Sequence, residues 1–281
     1  MVLGRAVPVM TSVAERFPRA RLNPILVTVV LLAGALVAWI VTFERMQGMD
    51  AGPGTHLGGF GWYVGVWVTM MAAMMLPSVA PMVLAFSRIS QERSRRGRSY
   101  VPTWVFVGGY LLAWAGYGVA AYGVFRALTA IDSDFLAWDR GGPWIAGGAI
   151  VAAGLYQLTP LKRVCLSHCR TPLHFILHGW KEGWSGAFKM GLSHGAYCVG
   201  CCWGLMLILF ALGVMSLFWM VVVAAIIFAE KVTPFGARLS RALAVAFVLF
   251  GIWVALAPGS VPGLTQPDED SPGMQMEEMS P

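Results

Sequence analysis

Seven apolar runs, most of them near or above the roughly 20 residues a helix needs to cross the hydrocarbon core of a bilayer, constrain this chain more than any other feature. They fall at about Ile25 to Phe43, Phe60 to Phe86, Val101 to Phe125, Pro143 to Leu158, Ala187 to Gly213, Leu217 to Ala229 and Leu239 to Ala257. Backbone polar groups in lipid must be satisfied within the segment, so runs of this kind read as helices. The expected fold is therefore an all-α membrane protein, a polytopic bundle of about seven transmembrane helices. Composition agrees, at 57% hydrophobic and 12% charged residues over 281 positions, with a mean hydropathy of +0.67.

The formal net charge of +6 is spread in short clusters between the apolar runs. That placement reads as a topology signal and not as a phosphate-binding surface, so no nucleic-acid partner is expected. Lys and Arg concentrate before the first run and after the second, fourth and sixth, which places the N-terminus inside and the C-terminus outside. Residues 1–24 read as a basic cytoplasmic lead-in without a cleavage site, 25–257 as a single transmembrane domain, and 258–281 as an acidic, Met-containing disordered tail. The lipid bilayer is the first partner implied, and the bacterial inner membrane the expected location.

Chemistry concentrates in the fifth run. GLSHGAYCVGCCWGLM, Gly191 to Met206, holds three of the five cysteines and one of the five histidines. On one helix His194, Cys198, Cys201 and Cys202 share a face, and an intramembrane imidazole among thiols is a functional candidate. In the second run Met70, Met71, Met74 and Met75 form two overlapping Met-x-x-x-Met pairs. Thioethers are uncharged soft ligands suited to Cu(I), although Met also fills packing gaps between helices. Pro77 and Pro81, just beyond, are expected to kink or interrupt that helix. A third group, Cys165, His168 and Cys169 in CLSHC, lies in the basic connection from Leu161 to Lys189, where it would serve as a cytoplasmic exit or entrance. His174 and His178 in the same connection read as amphipathic interfacial packing. Met46, Met49 and His56 in the first outer loop, and Met274, Met276 and Met279 in the tail, are softer candidates for first contact with copper.

Three segments, WVTMMAAMMLPSVAP, CLSHCRTPLHF and HGAYCVGCCWGLM, make the chain similar to a family of bacterial predicted metal-binding integral membrane proteins defined by a domain of unknown function. The resemblance runs from about Phe60 to Lys231 and implies metal binding in a membrane. From the residues, the leading expectation is binding of a soft metal, Cu(I) before zinc or another soft ion, for transport or for delivery to a metallochaperone or copper-enzyme assembly partner. No catalytic residue and no ATPase motif stands out, which leans away from an enzyme. Two competing readings stay open. CVGC is a Cys-x-x-Cys, so a membrane thiol–disulfide oxidoreductase using Cys198 and Cys201 is one, and a subunit for metal-centre assembly is the other.

Overall fold

The computed structural model describes residues 24–46, 59–98, 100–131, 141–212 and 216–261. All regular structure among them is helical: α1 (Pro24–Met46), α2 (Phe60–Arg95), α3 (Thr103–Ile131), α4 (Gly142–Tyr156), α5 (Pro160–Arg170), α6 (Pro172–Gly179), α7 (Gly183–Leu212), α8 (Leu217–Val232), α9 (Gly236–Leu256) and a 3₁₀ turn at Pro258–Ser260. Five helices, α1, α2, α3, α7 and α9, are long and apolar enough to cross a membrane, and α4 with α5 makes a sixth candidate bent by 66°. The seven-pass expectation additionally needs α8, which has 16 residues. Met49, His56 and the tail methionines lie outside the described residues, whereas Met46 is buried at the end of α1.

The bundle is organised around α7. It packs against α3 along its length, against α4 and α5 on another side, and against α8; α2 packs on α1, α3, α6 and α8, and α4 on α9. Large apolar side chains such as Ile25, Val30, Leu249 and Leu256 remain exposed, as expected where lipid replaces water as the solvent. The inner surface buries Trp67, Tyr110, Trp114, Phe86, Phe106 and the methionines of α2 in one continuous cluster. Trp67 donates from Nε1 to the Trp114 carbonyl at 2.9 Å, which ties α2 to α3 and satisfies a buried indole.

Glycines let α3 and α7 touch backbone to backbone. A Cβ at Gly191 would collide with the Phe106 carbonyl oxygen, and one at Gly109 would strike the Phe188 carbonyl and come within 2.9 Å of the Leu192 nitrogen. Neither helix backbone can yield locally. Gly191→Ala is thus expected to lower the melting temperature of the detergent-purified protein, by about 1–3 kcal/mol of stability for overpacking. Gly65→Ala, whose new Cβ would meet nothing within 4 Å, should leave it unchanged or slightly raise it. Equal melting of the two variants would contradict the close approach.

The structure adds detail to the local reading at three places. Pro77 and Pro81 do not interrupt α2, which runs on to Arg95 with both prolines inside. Four residues apart, the two prolines remove donors on one side of the helix. The connection from Leu161 to Lys189 is largely helical, holding α5, α6 and the first turns of α7. Pro160 and Pro172 start α5 and α6, with the Thr159 side chain capping α5 at the Lys162 nitrogen. Finally, α8 continues past Ala229, the expected end of the sixth run, through Glu230 and Lys231 to Val232. Both charged residues are buried within α8, because other helices supply them with partners.

At the opposite end of α2, Arg93 pairs with Glu182 between α6 and α7 and lies over the Trp180 ring at 4.9 Å. The Arg93 hydrogen bond holds the Glu182 carboxyl below its usual range.

Candidate metal centre

Three sulfurs converge inside the bundle. Cys198 and Cys201 project from α7, and Cys169 reaches them from the end of α5; their Sγ atoms all lie within 4.8 Å of one another. Cys198 and Cys201 are buried and Cys169 is half-buried. The Cys169 and Cys201 sulfurs are 3.8 Å apart, and Cys202 Sγ is 3.2 Å from Cys201 Sγ. All five cysteines are free thiols. Cys165 lies one turn before Cys169, its sulfur against Gly200, where a Cβ would come within 2.7 Å of it.

The chain folds this way because α4 ends at Tyr156 and the path turns through 66° into α5, which brings α5 back onto α7. Tyr156 donates its hydroxyl to the Gly200 carbonyl at this corner. Arg170, at the end of α5, donates to the Thr233 carbonyl at 2.6 Å and fixes the far end of the same helix.

Lys231 completes the surroundings. Its Nζ is 2.9 Å from Cys198 Sγ and donates to Ser78 Oγ at 3.2 Å, so one ammonium bridges α8, α7 and α2. The Tyr110 hydroxyl lies 3.1 Å from the same sulfur. Beside this cluster, Lys162 of α5 pairs with Glu230 of α8 at 2.7 Å. Gln157 also accepts from Lys162, and Ser240 of α9 donates to Glu230 at 2.8 Å. Neither Lys162 nor Glu230 is more than 1% exposed.

Not every sequence candidate joins the sulfur cluster. His194 is buried on the expected face of α7 but rests among the rings of Phe106, Tyr110 and Phe175, and its Nδ1 has no hydrogen-bond partner among the described residues. His168, one residue before Cys169, turns away and stacks on Tyr197 at 4.2 Å with the rings nearly parallel. Within CLSHC, Cys169 joins the α7 thiols, while His168 stands apart from that cluster. Met70, Met71, Met74 and Met75 are all fully buried on α2. Ser78, one turn beyond Met74, links that helix through Lys231 to Cys198.

Tyr110, Lys231, Lys162 and Glu230 lie outside the motifs that mark the site in the sequence. Tyr110 carries no local signal. The two charges of α8 do, since ionisable residues within an apolar helix are rare and point inward to partners.

Three soft sulfurs close together, two of them on fully buried residues, suit a thiophilic cation with a low coordination number. A chain whose described residues form only helices, several of membrane length, around such a cluster is, as a class, a candidate metal-handling membrane protein. Residues 64–254, about two thirds of the chain, match the family described as PpoB2, copper chaperone. The chain belongs to that family. No curated protein and no solved structure matches it.

Proposed function

We propose that this protein is an inner-membrane copper carrier that holds Cu(I) on Cys169, Cys198 and Cys201 and passes it to a copper-handling partner. One observation carries the reading: thiols from helices separated in sequence meet in a buried cluster of three. Trigonal thiolate coordination suits Cu(I), whereas Zn(II) would call for a fourth ligand. Membership of a copper chaperone family supports the same metal.

Ligand exchange explains how such a site would release its cargo. A partner thiolate attacks three-coordinate copper, a fourth Cu–S bond forms, and a resident sulfur departs. Cys169 is the one residue of the three that is only half-buried, and it sits at the end of the short α5, so exchange begins there. Cys202 stands next to Cys201 as a reserve donor. Met70, Met71, Met74 and Met75 are assigned as uncharged thioethers along which copper moves to or from the cluster. The seven-pass topology, with the N-terminus inside, belongs to this proposal.

Anaerobic titration of detergent-purified protein with Cu(I), against a chromophoric chelator, tests it. One tightly held equivalent is expected. Serine at Cys169, Cys198 or Cys201 should weaken it by at least about 100-fold, roughly 2.7 kcal/mol, while Cys165→Ser should change it less than about threefold. Parent-like binding by the triple variant at 169, 198 and 201 would overturn the assignment. A stable disulfide between two of these positions in protein taken from growing cells would favour the oxidoreductase reading instead.

A further inference from the structure

Helix α6 carries a feature that the sulfur cluster does not use. Ile176 is buried and Phe175 packs against the rings of His194 and Tyr197 at 5.3 and 6.2 Å. These contacts fix the rotation of the helix, and they leave His174 and His178 exposed on its outer side. One turn apart, the two imidazoles face each other with ring centroids 4.3 Å apart and planes at 27°. Nδ1 of His178 lies 3.0 Å from the His174 carbonyl oxygen. A carbonyl can only accept, so this contact places the ring proton on Nδ1 and leaves the Nε2 lone pair free. A backbone carbonyl orienting one ring nitrogen so that the other can ligate is the usual outer-shell arrangement of metal-binding histidine.

We infer that His174 and His178 form a second metal site, a surface bis-imidazole chelate for a borderline divalent cation such as Zn(II) or Cu(II). Two histidines at i and i+4 on one helical face are a recurrent metal-binding unit. Imidazole suits these ions, whereas the buried thiols suit Cu(I). The pair therefore differs from the sulfur cluster in ligand type, charge preference and access. Water or a partner's side chain completes the coordination, as an open and exchangeable site requires. Only Thr171 separates α6 from α5, whose last turn carries Cys169, so the imidazoles sit on the same arm as the outermost thiol.

The inference stands independently of Cu(I) binding. Equilibrium dialysis of the tag-free full chain against Zn(II) should show one equivalent more in the parent than in His174→Ala/His178→Ala. Each single alanine should weaken that equivalent at least about tenfold. Because both positions are exposed, the variants should melt as the parent does. Zn(II) should also protect His174 and His178 from acylation by diethyl pyrocarbonate, read peptide by peptide. Equal Zn(II) binding by parent and double variant would overturn the site. So would weakening in only one of the two single variants with the other binding as the parent does, or protection of neither residue.

Discussion

Replacing Glu230 by alanine is expected to destabilise the purified protein by about 3–5 kcal/mol, the largest effect of any single substitution outside the cysteines. Lys162 would lose both carboxylate contacts, at 2.7 and 2.9 Å, and keep only Gln157 for a buried ammonium. Ser240 would lose its acceptor on Glu230 at the same time. The size of the effect comes from stranding a charge, not from the intrinsic strength of the pair. Lys162→Met/Glu230→Leu removes both charges and fills similar volume, so it should recover most of the loss. Melting temperatures of the two variants in one detergent decide the matter. A single variant as stable as the parent, or a double variant worse than the single, would contradict this account.

Lys231→Met is expected to weaken Cu(I) binding at least tenfold, about 1.4 kcal/mol. Cu(I) held by two or three thiolates is a net anion, and a buried anion without a counter-ion is disfavoured in a low-dielectric interior. Lys231 Nζ, 2.9 Å from Cys198 Sγ, supplies that positive charge. Lys231→Arg keeps the charge and should stay within about threefold of the parent, whereas a role in packing alone would make arginine the worse replacement. Chelator competition on folded protein separates the two. Parent-like affinity in Lys231→Met would remove Lys231 from the site.

What was legible in the sequence follows from what is local. The apolar runs announced α1, α2, α3, α7 and α9, because a membrane-length helix is a property of consecutive residues. The soft-ligand types were legible for the same reason, each motif being a few residues long. Their grouping was not. Cys169 joins Cys198 and Cys201 only because of the bend between α4 and α5, and no spacing rule encodes that angle. The sixth apolar run ends at Ala229, just before Glu230 and Lys231, because charges usually leave the bilayer. They stay inside because Lys162, 68 residues earlier in the chain, and Cys198, 33 residues earlier, come to meet them. His194 shows the converse limit. Helical periodicity put it on the thiol face, but three aromatic rings from α3 and α6 occupy the space around its imidazole.

If the proposed copper carriage holds, the glycine contacts between α3 and α7 would separate how tightly the ion is kept from how long it stays. Cys198 and Cys201 ride on a 30-residue helix clasped backbone to backbone, so moving them means parting two long helices. Cys169 rides on an 11-residue helix held at its ends by Lys162 and Arg170. In the proposed carrier, capacity would rest on the rigid wall and dwell time on the short arm, so substitutions in α5 would change the tempo of hand-over while leaving the α7 thiols untouched.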